Sequence, residues 1–341
     1  MEKSGVIFIC LLFSLAIFVA GVFIGASDIE GRMVFEALYS ILTGDLPGTH
    51  SSNIATAILW EIRLPRMVAA AVVGSCLAGA GVLSQGLFRN PLASPSVLGA
   101  TSGAGALSAL MFYFGGVYYH WLTLPFAGVA GAFLATMIIL AVASLRSFIS
   151  IEYLLLVGFA LNALLGAVTS LIVSLTLADY QRSQALMHWL LGSLAAASWD
   201  HLLLGIPLLV LGFIFSHRVC RELDVLTFGE EVAKTLSVDV VRLKYFAIVC
   251  IALLVGVSVA ICGAVAFVGL IVPHLTRLMV GMKHRRLFVV SAINGATLVM
   301  AADLISRTII APRELQVGVL IAMIGAPFFI LLLWKRGLNN A

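Results

Sequence analysis

Charge is scarce in this chain. Only 11% of its 341 residues are Asp, Glu, Lys or Arg, against about 25% in an ordinary soluble domain. A soluble fold has too few polar groups here to cover a chain that is 62% hydrophobic. Lipid must therefore be the solvent for much of the surface. The formal net charge of +4 is small, and no basic run concentrates it, so nothing points to nucleic acid. Cysteine is also sparse: Cys10, Cys76, Cys220, Cys250 and Cys262 include no pair at metal-ligand spacing. They read as free thiols in a helical core, and no metal site is expected. The phosphate loop GxxxxGK[ST] is missing, as are HExxH and GxSxG. No catalytic residue, enzyme activity or cofactor is expected on this chain, and any ATP with its Mg would be bound by a partner. Intramembrane carboxylates in series are missing too, which argues against a proton-coupled carrier.

What the chain has in quantity is long apolar runs. Ten candidate spans fall at about 5–25, 61–86, 95–115, 121–144, 152–176, 200–217, 240–264, 266–282, 287–309 and 316–335. The first follows Lys3 and exceeds the 7–15 apolar residues of a signal-peptide core, so it reads as a retained helix. The eighth is short and interrupted by Pro273, His274 and Arg277. The expected fold is an all-α polytopic membrane protein forming one transmembrane domain over 1–341, with no separate soluble domain.

Threading ten spans from a cytoplasmic N-terminus leaves Arg32, Arg63, Arg66, Arg182, Arg307 and Arg313 outside. The other fourteen of the twenty Lys and Arg lie inside, as the positive-inside rule requires. The tryptophans Trp60, Trp121, Trp189, Trp199 and Trp334 sit at span ends, where such rings favour the headgroup level. The longest outer loop is expected at about 28–60, and a short interfacial helix at Trp189–Ala197. Ten spans divide five plus five, which is the arrangement of inverted repeats. Glycine-rich stretches at Gly74–Gly81 and Gly256–Gly269 end the second span of each half.

Gly74, Ala78, Gly79, Gly81 and Ser84 make the second span one that packs closely. Gln85 and Asn162 are the clearest polar residues within spans, serving either a helix–helix hydrogen bond or a pathway wall. Between spans six and seven lies the longest charged stretch, about 218–239. It interleaves Arg221, Glu222, Asp224, Glu230, Glu231, Lys234 and Asp239 with Val225, Leu226, Val232 and Leu236. Gly229 is expected to divide two short helical pieces, a knob suited to a groove on another protein.

Six stretches, taken in order, carry a resemblance. They are Arg63-Leu-Pro-Arg66, Gln85-Gly-Leu-Phe-Arg-Asn-Pro-Leu-Ala-Ser-Pro-Ser-Val-Leu-Gly99 and Leu223-Asp-Val-Leu-Thr-Phe-Gly-Glu-Glu-Val-Ala-Lys-Thr-Leu236. Then come Phe267-Val-Gly-Leu-Ile-Val-Pro-His-Leu-Thr-Arg277, Ala302-Asp-Leu-Ile-Ser-Arg307 and Gly318-Val-Leu-Ile-Ala-Met-Ile-Gly-Ala-Pro-Phe-Phe329. Together they resemble the FecCD family of permeases, membrane subunits of type II ABC importers. Members move ferric siderophores, haem, cobalamin or in some cases molybdate.

The resemblance implies ten helices and a second permease subunit, identical or paralogous, enclosing the route. It also implies two ATP-binding subunits, a periplasmic or lipid-anchored substrate-binding protein, and a place in the bacterial inner membrane with both termini cytoplasmic. Gly229, Glu230, Glu231, Ala233 and Leu236 match the helix that seats on the ATPase. Arg63, Arg66 and Arg307 match outward arginines that receive acidic groups of the binding protein. Arg63 and Arg66, three apart, are helix-surface neighbours, and a guanidinium suits a carboxylate. Interfacial snorkelling is the alternative for that pair; for Arg307 it is a bond to Asp303 one turn earlier. Candidates for the pathway and its gates are Gln85, Asn90, Pro91, Asn162, Pro273 and His274. Ferric siderophore leads among cargoes because it is the family's commonest; haem, cobalamin or molybdate, and more remotely an ion-coupled carrier, are alternatives. Two departures stand out: Gln316 replaces the family's proline before the last helix, and Ser237 stands where a glycine is frequent.

Overall fold

A computed structural model describes residues 3–25, 31–43, 54–144 and 151–339. Among the described residues the regular structure is entirely helical, as a chain of apolar runs in lipid demands: a helix bonds its own backbone. In order the helices are α1 (Lys3–Phe23), α2 (Gly31–Thr43), α3 (Ile54–Ala57), α4 (Leu64–Leu87), α5 (Ala100–Tyr113), α6 (Thr123–Ser144) and α7 (Ile151–Thr176). There follow α8 (Tyr180–Leu190), α9 (Trp199–Leu226), α10 (Glu230–Thr235), α11 (Val240–Cys262), α12 (Val268–Val280), α13 (His284–Thr308) and α14 (Val317–Asn339).

Each of the ten expected spans contains a helix. Among the described residues seven helical stretches are long and apolar enough to cross a membrane, one of them the unbroken run Ile54–Leu87 formed by α3, a π turn and α4. Several boundaries differ from expectation. The segment expected at 95–115 divides at Gly99 into a 3-10 turn, Pro95–Leu98, and α5. The loop expected at 28–60 contains α2 and the start of the 34-residue run. The interfacial helix expected at Trp189–Ala197 lies instead at Tyr180–Leu190, started by the Asp179 side chain accepting from Arg182 N at 3.1 Å. The charged segment after residue 217 is no separate piece, because α9 runs on to Leu226. Its residues alternate apolar and charged at helical spacing, so nothing in them ends the helix.

The π turn has a local cause. Over Ile58–Arg63 the register shifts, so that Leu64 N bonds to Leu59 O. In that register the carbonyl of Trp60 faces residue 65, a proline with no N–H. Trp199 Nε1 supplies the missing donor at 2.8 Å, with the two indole rings 5.0 Å apart. A span end from each half of the chain is thereby joined.

The core is built on α4 and α11. In their membrane windows 83% and 78% of residues are buried, against 17% for α1 and 11% for α7. The most inward helix is thus the second span, whose small residues admit neighbours to backbone contact. α4 packs on α13, and α11 packs on α6. Exchanging the halves turns the second and ninth spans into the seventh and fourth, so one pair maps onto the other as a five-plus-five repeat requires. The apolar outer faces of α7 and α14, with Phe159, Leu164, Met323 and Ile330, are exposed in the single chain.

Candidate functional site

At one end of the helical bundle, the end expected to face outward, five charged residues from separate parts of the chain converge. Arg66 Nε donates to Asp303 Oδ1 at 2.9 Å, and Arg66 Nη1 reaches both Glu314 oxygens at 2.8 and 3.1 Å. Arg307 Nε stands 3.5 Å from Asp303 Oδ2, an ion pair too long for a hydrogen bond. Arg307 Nη2 donates to Gly21 O at 2.7 Å, and Arg63 Nη1 donates to Val22 O and Phe23 O at 2.9 and 2.8 Å. Those three carbonyls belong to the last turn of α1, where a helix has no N–H of its own left to offer. Two guanidinium groups therefore cap α1 and lie at the negative end of its dipole.

This geometry changes the reading of the three arginines. The sequence suggests they face outward; in the fold Arg63, Arg66 and Arg307 are only 2%, 5% and 3% exposed. The π turn and following helix rotate Arg63 and Arg66 towards α1 and α13. The expected Arg307–Asp303 pair is present, but Arg66 makes the shorter bond to the same carboxylate. Glu314, which sequence reasoning passed over, completes the cluster; its only signal was its place in the stretch before α14.

Between α7 and the start of α5, Ser102 Oγ donates to Asn162 Oδ1 at 2.5 Å, while Asn162 Nδ2 donates to Ser96 O at 3.2 Å. Asn162 thus ties α7 to the 3-10 turn before α5. That turn borders a cavity of about 480 Å³ lined by Leu77, Ser94, Pro95, Ser96, Thr101, Phe267 and Ala322, among others, with no charged side chain in its lining.

At the other end, Gln85 is buried and fully used. Its Nε2 donates to Leu270 O at 3.1 Å, and its Oε1 accepts from Arg277 Nη2 at 3.0 Å. Of the two roles considered for Gln85, the geometry realises the helix–helix bond, joining α4 to α12. Pro273 is buried within α12 and His274 is half-buried beside it. Asn90 and Pro91 lie in the turn that follows α4, where Asn90 Oδ1 accepts from Leu92 N at 2.9 Å. A cavity of about 160 Å³ there is lined by Gln85, Gly86, Arg89, Asn90, Pro91, Thr227, Arg277, Met282 and His284.

The short helix α10 projects beside it. Gly229 enters it at φ 113°, a conformation that favours glycine. Ala233 is its one buried residue. Glu231 and Lys234 pair on the exposed face at 2.7 Å, and the carboxylate beside it raises the Lys234 pKa. Phe228, Val232 and Leu236, spaced four apart, are 75%, 43% and 60% exposed. Val232 and Leu236 are legible in the sequence; Phe228, in the turn before Gly229, adds a third exposed apolar side chain. Ser237 ends the helix at φ 61°. It therefore takes the left-handed conformation that a glycine there would take freely. Gln316 precedes α14 without preventing its start, and its Nε2 lies 3.2 Å from His188 Nδ1. Among the described residues no group of three or more His, Cys, Asp or Glu is placed to hold a metal.

Comparison with known proteins gives a consistent picture. The FecCD transport family model matches residues 10–335. The vitamin B12 import system permease BtuC of Vibrio cholerae is 40% identical over 87% of this chain and 89% of its own length. The Fe(3+) dicitrate transport system permease FecD of Escherichia coli is 39% identical over 81% and 85%. A solved structure described as an inward-facing metal-chelate type ABC transporter superposes with a TM-score of 0.82 at 30% identity, covering 97% of this chain and 99% of that one.

Proposed function

The chain belongs to the FecCD transport family, and from that premise we propose that it is a permease subunit of an ABC importer that brings a metal chelate into the cytoplasm. The observation that carries the reading is α10, a six-residue helix between spans six and seven that, with the turns at its two ends, leaves Phe228, Val232 and Leu236 exposed among the described residues. A helix of this size offered to a groove is a docking element. Its occupant in this reading is a separate ATPase, since the chain has no phosphate loop of its own. Gly229, Glu230, Glu231, Ala233 and Leu236 form or shape the seat, with the termini on the same cytoplasmic side.

The route runs along the interface with a second permease chain, identical or paralogous. The exposed apolar faces of α7 and α14 suit such a partner, and the uncharged 480 Å³ cavity suits a bulky chelate that passes without being held. Gln85, Asn162, Pro273 and His274 position the surrounding helices, with Asn90 and Pro91 at the cytoplasmic mouth. A substrate-binding protein delivers cargo at the outer end. Carboxylates of that protein engage Arg63, Arg66 and Arg307 by exchange with Asp303, Glu314 and the α1 carbonyls. Ferric siderophore is the leading cargo, with cobalamin or haem as the alternatives raised by relatives such as the B12 permease.

The test is reconstitution in liposomes with the cognate ATPase and binding protein. One of the three chelates should accumulate only with ATP, and accumulation should cease when the ATPase is inactivated. Uptake that persists without hydrolysis would place the chain among ion-coupled carriers instead.

A further inference from the structure

The coupling helix is small, and its hold on the rest of the protein is specific. α10 touches α9 and α11, and only Ala233 of its six residues is buried. Such a helix could tilt on its seat without moving the bundle unless something stiffer than one methyl group connected them. One polar bond joins α10 to the bundle directly, a second holds the end of α9 on which α10 rests, and both reach deep residues. Glu230, the first residue of α10, accepts from Lys244 Nζ of α11 at 2.8 Å, and the Lys244 side chain is 5% exposed. Asp224, in the last turn of α9 just before Gly229, accepts from the backbone N of His284 at 2.9 Å and lies 2.7 Å from its Nδ1. An ionised carboxylate only accepts, so His284 Nδ1 carries the proton. The far side of that ring is wedged on α4: a Cβ added to Gly86 would stand 2.7 Å from His284 Nε2. Beyond Gly86 comes the turn with Asn90 and Pro91.

We infer that Glu230–Lys244 and Asp224–His284 are the two struts through which displacement of α10 reaches α11, α13 and the cytoplasmic end of α4, making Asp224, Lys244 and His284 positioning residues for ATP-driven transport. The physical reason lies in burial. Lys244 and His284 are each 5% exposed while Glu230 and Asp224 are 34% and 37% exposed, and a charge-assisted bond to a buried partner is short, directional and costly to leave unmade. It resists stretching where a sliding apolar contact yields. One strut pulls on α11, a core helix; the other pulls on the start of α13, which packs along α4. Movement of the seat is thus delivered to the helix that ends at the cytoplasmic mouth.

This inference rests on the importer reading, and one experiment separates the two. The permease is reconstituted with its ATPase and binding protein, and three quantities are read: ATPase subunits retained on the purified complex, ATP hydrolysed, and cargo accumulated. Asp224→Ala and Lys244→Met should retain the ATPase and hydrolyse ATP. Cargo delivered per ATP should fall about tenfold, the effect of losing one such bond from the coupling energy. Lys244→Arg, which keeps the charge and can still reach Glu230, should retain most of the wild-type cargo per ATP. If either first variant fails to assemble, Asp224→Asn and Glu230→Gln keep size and one hydrogen bond while removing the charge; they should still lower cargo per ATP about threefold. Unchanged cargo per ATP in assembled variants overturns the struts alone, provided the wild-type complex is ATP-driven. A wild-type complex that accumulates cargo without hydrolysis overturns the importer reading itself.

Discussion

Gly74 and Gly295 meet backbone to backbone: a Cβ built on either would overlap the other's carbonyl oxygen. Between α4 and α12 a Cβ on Gly81 would overlap the Gly269 carbonyl oxygen, and one on Gly269 would press on the Leu77 carbonyl oxygen and the Pro95 ring. Within a bilayer no hydrophobic force presses helices together, so close backbone approach is itself the source of attraction. A methyl group at these points pushes apart the two helices with the most intimate packing in the fold.

Gly74→Ala and Gly295→Ala should therefore each destabilise the protein by about 1–3 kcal/mol, the cost of overpacking a filled interface. Thermal unfolding in detergent reads this out. Gly105→Ala is the control, because a Cβ there meets nothing within 4 Å. Melting of all three variants at the wild-type temperature would mean that the α4–α13 approach is looser than described.

Ser237 should respond in the opposite direction. It holds φ 61° at the end of α10, and a left-handed residue with a Cβ costs roughly 1–2 kcal/mol. Ser237→Gly removes that cost, offset in part by the greater freedom of glycine in the unfolded chain. Slower amide exchange across Glu230–Leu236 in the variant is the expected result. Faster exchange would show that the serine contributes something beyond its backbone conformation.

Glu314 offers a direct test of docking by exchange. Its side chain is 32% exposed while it bonds the nearly buried Arg66. Glu314→Gln removes one competing carboxylate and leaves Asp303 in place. Binding-protein affinity should then rise by roughly two- to fivefold, with a steeper dependence on salt, as an additional free cation on the rim would give. Identical affinity and salt dependence in variant and wild type would remove Arg66 from the docking surface and leave it a purely internal clamp.

The legible and illegible parts of the chain divide along a physical line. Gly229, Ala233 and Leu236 could be placed on a projecting helix because a charged, glycine-interrupted stretch between two apolar runs can only lie outside lipid. By contrast, Val225 and Leu226 read as part of a separate piece, yet they continue α9. Nothing local distinguishes an amphipathic extension from a new helix; the distinction depends on what packs beneath. The arginines mark the limit most clearly. The family resemblance grouped Arg63, Arg66 and Arg307 at the outer end, but nothing local to them gives the direction in which they point. A π turn with its cause in Pro65 and its compensation in Trp199 turned two of them inward.

The sequence by itself determined that this is a multi-span helical membrane protein, roughly where its apolar spans fall, and which transport family it resembles. Those properties follow from local composition, because a backbone in lipid has to bond within its own segment wherever the apolar run is long enough. Only the tertiary structure decided that Arg66 answers to Asp303, 237 residues away, that Lys244 holds Glu230, and that His284 joins Asp224 to the end of α4. Such pairs depend on which helices become neighbours, and on how each is rotated about its axis. Small residues at Gly74, Gly81, Gly269 and Gly295 set that rotation through contacts between distant parts of the chain.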